Sequence, residues 1–319
     1  MCSKMINQDD VILSIYVATY NHEEYIGRAL DSILMQKTKY KFEVLIGEDA
    51  STDGTRAVLK KYEEQFPGFF TIFYREKNMH NTECSNAQDL RARCKGKYLI
   101  ALEGDDFWLD ENKIEKQIDF LEAHPEYIAV AHNCVVVGKD SQPNGETYPE
   151  CKDHEYTFHH FFNTILPGQL TTVMYRNYLL DNNFDSSILF KQLSPDDQLL
   201  YFALLCHGQI YCMQEVMSAY RHITDSGSSY SATVKFDYAN QKRWQQELIT
   251  YAKRHCEKRE VMQAEYPYMH LILKGILSKQ ITYKQALIDF SGITGKIPVL
   301  FIGLKRFFTK KVLHLKSFT

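Results

Sequence analysis

The sequence predicts an α/β protein: a mostly parallel sheet flanked by helices, followed by a helical C-terminal extension. Three observations carry this. Through the first third of the chain, short apolar runs of strand character alternate with stretches of helical periodicity, the pattern of a sheet covered on both faces. From about residue 235 onward the pattern is mainly helical. The 319 residues, 45% hydrophobic and 24% charged, are ordinary for a soluble globular protein and long enough for one large or two modest domains.

Residues 11–18 (VILSIYVA) read as the first strand, because a short apolar run rich in β-branched residues suits a sheet core. Asn21 is placed to cap the next helix, with Glu24 as its capping-box partner three residues on. That helix carries Ile26, Leu30, Ile33 and Leu34 on one side. A second strand follows over 42–46, then a Ser51-Thr-Asp-Gly turn and a helix over 55–66. The third strand spans 69–74, a helix 86–94, and the fourth strand 97–102, which ends abruptly in Asp105 and Asp106. Beyond Trp108 the pattern loosens into a helix over 113–123, a strand over 127–137 and a polar loop over 138–155 that holds Pro143, Gly145 and Pro149. A helix over 195–207 stops at Gly208, and the last strand lies within 210–219. Ser194 is a good N-cap for that helix, Pro195 suits its first position, and acids such as Asp196 and Asp197 favour its first turn.

Net charge is −3, which gives no whole-molecule reason to expect nucleic-acid binding. The eight cysteines, at 2, 84, 94, 134, 151, 206, 212 and 256, form no C-x-x-C pair, so spacing lends a zinc site little support. They read as reduced, mostly buried thiols of a cytosolic protein. The N-terminus has no secretory apolar segment, and no run of about 18 apolar residues predicts a spanning helix. Residues 296–319 hold six Lys or Arg and no acid, interleaved with bulky apolar side chains. Such a tail can lie on an anionic membrane surface or pack as an ordinary terminal helix, and both readings stand here.

Adjacent carboxylates repel, and a shared proton, a cation or solvent is the usual remedy. Asp105-Asp106 falls at the C-terminal end of a predicted strand, where ligands bind in parallel α/β sheets. Thr19-Tyr20-Asn21 and Gly47-Glu48-Asp49 fall at two other such ends. Asp49 and Thr19 can accept and donate hydrogen bonds to a pyrimidine base, although Asp49 also suits a turn. Neither G-x-x-x-x-G-K-[ST] nor G-x-G-x-x-G is present to cradle phosphates, so a diphosphate needs another counter-charge, which a divalent cation on Asp106 would supply.

The ordered motifs V-A-T-Y-N-H-E-E-Y-I, E-V-L-I-G-E-D-A-S-T-D-G-T and K-G-K-Y-L-I-A-L-E-G-D-D-F-W resemble those of inverting family 2 glycosyltransferases with the GT-A, Rossmann-like fold. The resemblance covers roughly residues 10–230, which sets a GT-A domain at 1–230 and a helical region with a basic tail at 231–319. It implies transfer of a sugar from a nucleotide diphosphate, typically UDP, to an acceptor hydroxyl of a growing surface glycan such as lipopolysaccharide, capsule or exopolysaccharide. It further implies that Thr19 and Asp49 contact the base with Tyr20 and Asn21 beside them, that Asp105 faces the ribose or a metal-bound water, and that Asp106 holds Mn2+ or Mg2+. Asp197 matches the family's catalytic base. Tyr220-Arg221-His222 resembles a further element, placing Arg221 or His222 on the diphosphate, with His222 also able to complete the metal shell. The chain departs from the family at Asn78-Met-His-Asn81, where a glycine is missing, and at Gly47-Glu48, which replaces Val-Asp.

The implied setting is cytoplasmic, peripheral on the inner face of the cell membrane through residues 296–319, with a glycan or lipid-linked acceptor. Two rivals are weighed. A sugar nucleotidyltransferase would need a glycine-rich basic N-terminal loop, absent from residues 18–24. An inactive binding subunit would not need Asp49, Asp106 and Asp197 together.

Overall fold

The computed structural model describes residues 11–80, 82, 84–181, 183–191, 193, 195–223 and 236–293. Four strand and helix pairs open the chain: β1 Leu13–Thr19, α1 Ile26–Leu34, β2 Phe42–Glu48, α2 Thr55–Gln65, β3 Phe70–Tyr74, α3 Asn86–Arg93, β4 Tyr98–Glu103 and, after the short β5 Phe107–Trp108, α4 Lys113–Ala123. Then follow β6 Tyr127–Val137, β7 Glu155–Tyr156, α5 Phe158–Phe161, β8 Met174–Arg176, α6 Asp196–His207 and β9 Gln209–Arg221. Three helices close the described chain: α7 Tyr238–His255, α8 Lys258–Leu277 and α9 Tyr283–Ser291.

One sheet joins the strands in the order β3-β2-β1-β4-β8-β6-β9-β5, with β7 on β9. β3, β2, β1 and β4 run parallel. β8 enters antiparallel between β4 and β6, and β5 and β7 lie antiparallel to β9. The sheet is therefore mixed beyond β4. Strands of two or three residues show no readable periodicity, which is why β5, β7 and β8 were not foreseen.

β1 is apolar on both faces because both are covered. Ile15 and Val17 pack with Ile26, Leu30 and Ile33 of α1 and with Ile114 and Ile118 of α4. Tyr16 on the opposite face joins Leu90 of α3 and the apolar stretch 199–205 of α6. The same cluster continues into Leu248, Tyr251 and Ala252 of α7 and Met269 and Ile272 of α8. Tyr251 shares a 2.8 Å hydrogen bond with His207, and the Trp244 indole donates to the Pro195 carbonyl at 3.4 Å. The C-terminal helices thus brace α6 at both ends.

Two caps differ from expectation. α1 starts at Ile26 behind Tyr25 with no side-chain cap, so no Asn21–Glu24 box forms. Asn21 instead sits at φ +55°, accepts from the Thr52 N–H at 2.8 Å and donates its own N–H to Ser51 Oγ at 3.0 Å. The Ser51-Thr-Asp-Gly turn outcompetes the helix for this side chain. At α6 the capping position belongs to Pro195, which offers no side-chain bond. Ser194 lies outside the described residues, as does the tail 296–319.

Candidate active site

Register brings three strand ends level. Thr19 of β1 faces Glu48 of β2, and Ala18 faces Glu103 of β4. Past the strands, the Asp49 N–H donates to the Thr19 carbonyl and the Gly104 N–H to the Ala18 carbonyl, each at 3.0 Å. A Cβ on Gly104 would stand 2.6 Å from Thr19 Oγ1 and 2.7 Å from His22 Nδ1, so only glycine lets the end of β4 close against this loop.

Thr19 and Asp49 are buried, whereas Tyr20 is exposed. Asp49 Oδ1 accepts from the Met79 N–H at 2.8 Å, and Asn78 donates to the Asp49 carbonyl at 3.2 Å. The segment that lacks the family's glycine is therefore what borders Asp49. Burial raises the Asp49 carboxyl, and the Met79 N–H partly offsets this. Glu48 has a different task. It is fully buried, accepts from the Ser51 N–H at 2.6 Å and pairs with Arg56.

At the end of β4, Glu103, Asp105 and Asp106 bring carboxylate oxygens within 4.8 Å of one another. Asp106 is 2% exposed. Its Oδ1 accepts from the Arg221 N–H at 2.8 Å and its Oδ2 from Gln169 Nε2 at 2.9 Å. Burial first, then the charges of Asp105 and Glu103, push its carboxyl well above the usual range. A cation relieves that repulsion, and an all-oxygen donor set suits Mg2+ or Mn2+.

Three residues not singled out by sequence reasoning complete the arrangement. Glu103 stood one glycine from the chosen pair and is the third carboxylate. Gln169 donates to both Asp106 and Glu103 (3.2 Å), while its oxygen accepts from Thr171 N–H and Oγ1 at 2.7 and 2.6 Å. The ring of His22 bridges Thr19 Oγ1 at 3.3 Å and Asp105 at 3.9 Å. The Glu-Gly-Asp-Asp spacing held a signal for Glu103, and His22 lies within the first of the ordered motifs.

Both members of the Arg221-His222 pair have partners within the protein. Arg221 is buried, and protein acceptors take up its guanidinium. Nε donates to the Asp105 carbonyl (2.9 Å), Nη1 to the Gly138 and Lys139 carbonyls (2.6 and 3.1 Å) and Nη2 to Ser141 Oγ (2.8 Å). The face of the group stacks 4.1 Å over Tyr25. In this arrangement it clamps the corner beneath the acid cluster. His222 pairs through Nδ1 with Glu146 at 2.5 Å and stacks on Tyr220, and the carboxylate cluster does not include it.

Asp197 comes from the first turn of α6, where its Oδ1 accepts from the Gln198 N–H at 2.8 Å. Burial, then the charge of Asp197, raise the half-buried Tyr148 hydroxyl well above its ordinary value.

The chain belongs to glycosyl transferase family 2, whose family model matches residues 14–182. It is 31% identical to the uncharacterized protein Rv1520 of Mycobacterium tuberculosis over 66% of this chain and 58% of that protein, so the match spans little more than half of that relative. It is 25% identical to the Escherichia coli UDP-Glc:alpha-D-GlcNAc-diphosphoundecaprenol beta-1,3-glucosyltransferase WfaP over 62% of this chain and 71% of that one. Among solved structures, S. aureus TarS 1–349 in complex with UDP-GlcNAc superposes with a TM-score of 0.67 at 18% identity, covering 89% and 82% of the two chains. The mannosyltransferase PcManGT of Pyrobaculum calidifontis, in complex with GDP-Man and Mn2+, superposes at 0.51 and 18% identity, covering 95% and 80%. The fold is GT-A-like, a mixed α/β sheet flanked by helices with C-terminal helices.

Proposed function

We propose that this protein is an inverting glycosyltransferase that moves a sugar from a UDP donor to an acceptor hydroxyl of a growing surface glycan. The observation that carries the reading is the clustering of Glu103, Asp105 and Asp106 at strand ends level with Thr19 and Asp49. Asp49 accepts the imide N–H of uracil and Thr19 supports the base. Tyr20 covers it from the exposed side, and Asn21 holds the loop that shapes this pocket. Asp105 faces the ribose. Asp106, oriented by Gln169 and the Arg221 N–H, would hold Mn2+ or Mg2+ with Glu103, and such an ion would supply positive charge to offset that of the leaving diphosphate.

Asp197 acts as general base. It takes the proton of the acceptor hydroxyl as that oxygen bonds to the anomeric carbon, while the bond to the diphosphate oxygen breaks on the opposite face. Single displacement inverts the anomeric configuration. We assign a lipid-linked or glycan acceptor at the inner face of a membrane. WfaP, named for a diphosphoundecaprenol acceptor, supports this, as does the exposure of Leu277, Tyr283, Leu287 and Ile288 on the outer side of α8 and α9. No described helix is long and apolar enough to cross a membrane.

The test is a UDP-sugar panel with Mn2+ and lipid-linked or oligosaccharide acceptors, read by mass spectrometry. Asp197→Asn is expected to abolish transfer while calorimetry still registers UDP binding. Asp106→Ala is expected to lose metal-dependent UDP binding. Sustained turnover by Asp197→Asn would remove the base assignment, and silence of the wild type across the panel would remove the reading.

A further inference from the structure

The ring of His22 stands between the two halves of the donor site, and the chain around it fixes where that ring can lie. Asn21, at φ +55°, turns the backbone sharply just before it. The His22 N–H donates to Thr55 Oγ1 at 2.9 Å, and Thr55 Oγ1 in turn donates to Asp53 Oδ1 at 2.6 Å. The His22 carbonyl accepts the Tyr25 and Ile26 N–H groups at 2.9 and 2.8 Å, where α1 begins. The residue is thus held from the 51–55 turn on one side and from α1 on the other.

The ring packs on the corner that carries the acids, against the bare backbone of Gly104. Its Nδ1 lies 3.3 Å from Thr19 Oγ1 and its Nε2 3.9 Å from Asp105 Oδ2. An Asp105 carboxylate offers only acceptor oxygens, so Nε2 carries a proton, and in the neutral ring Nδ1 accepts from the Thr19 hydroxyl. That bond sets the direction of the hydroxyl. At 3.9 Å the Asp105 contact is electrostatic and not a hydrogen bond, and the carboxylate, 31% exposed, has room to turn toward the ring. A residue that served packing alone would need only the shape of the ring. Here each nitrogen meets a polar atom of a different part of the site.

We propose that His22 is a positioning residue of the donor site, aiming the Thr19 hydroxyl on the base side and the Asp105 carboxylate on the ribose side through opposite nitrogens of one ring. The inference rests on the donor-site reading above and adds to it a residue that acts through two others. One rigid ring then keeps the base end and the ribose end of a uridine diphosphate in a single register.

The test is calorimetry of UDP with Mg2+ on the full chain. His22→Ala is expected to weaken UDP binding about 3- to 10-fold, the range for losing one or two hydrogen bonds. His22→Leu fills the space without the nitrogens and should bind as weakly as the alanine variant. His22→Gln, whose amide can reach Asp105, should recover part of the affinity. The losses from His22→Ala and Asp105→Asn should not multiply in the double variant, because both remove the same contact. Unchanged UDP binding by His22→Ala, full recovery by leucine, or losses that multiply would overturn the proposal and leave the donor reading standing. A wild type that does not bind UDP removes both. Should the His22 variants not fold, ring-nitrogen NMR of the wild type decides: His22 signals that shift on adding UDP and Mg2+ support the role, and signals that stay in place overturn it.

Discussion

Asp106 and Lys113 show the same physics with opposite sign. Asp106 is buried among like charges, so its folded value lies above the ordinary 3.8. Its contribution to stability is present below 3.8 and is lost as pH rises through the raised folded value. At neutral pH without metal the ionised side chain is a strain on the fold. Asp106→Asn is therefore expected to melt at a higher temperature than the wild type in metal-free buffer at pH 8, while losing transfer. Scanning fluorimetry checks the first part, and an equal or lower melting point would contradict it. Mn2+ should raise the melting point of the wild type and leave that of the variant unchanged.

Lys113 is fully buried, donates to Gln117 Oε1 at 2.7 Å and lies 4.3 Å over the Trp108 ring. Burial drives its amine well below 10.5. The unfolded chain holds a proton there that the native chain does not, so stability rises with pH from the lowered folded value up to 10.5. Lys113→Met should flatten that slope in urea unfolding. It should also cost about 1–3 kcal/mol by orphaning the buried Gln117 oxygen. An unchanged slope would show that another group titrates.

Single side chains also hold whole elements in place. Arg221 joins the end of β9 to the β4–β5 corner through the Asp105 carbonyl and to the 138–141 turn through three further acceptors. Arg221→Ala leaves part-buried carbonyls without donors and should cost about 1–3 kcal/mol in urea unfolding. Lysine should not restore it, because one ammonium cannot span acceptors that a planar fork reaches together. If Arg221 instead met the diphosphate, the alanine variant would keep its stability and lose UDP affinity. Gln169 ties the short turn before β8 to the acid cluster. Gln169→Ala should weaken metal-dependent UDP binding by about 10- to 100-fold, the usual cost of losing a group that orients a metal ligand. Calorimetry with and without Mn2+ reads this, and equal binding in both proteins would deny Gln169 that role.

At the scale of the molecule, the C-terminal helices extend the core that supports α6 while leaving apolar side chains outside. Leu277, Tyr283, Leu287 and Ile288 are exposed, with Lys279 and Lys284 close in sequence. If the membrane reading holds, flotation with anionic vesicles should fall both on deleting residues 296–319 and on Leu287→Glu. Flotation unaffected by either change would take the membrane out of the account.

What the sequence determined by itself is what depends on neighbours along the chain. Apolar period and chain punctuation placed α4 at 113–123 and β6 at 127–137 with the ends later observed, and put Asp49, Asp105 and Asp106 just past strand ends. What only the tertiary structure decided is who meets whom. It inserted β8 between β4 and β6, spent Asn21 on a turn thirty residues away, and set Arg221 against the Asp105 and Gly138 carbonyls. It also drew Gln169 to Asp106 across 63 residues. Periodicity reports which face of an element is buried, but a buried polar group takes whichever partner the folded chain brings within about 3 Å, and no local pattern encodes that choice.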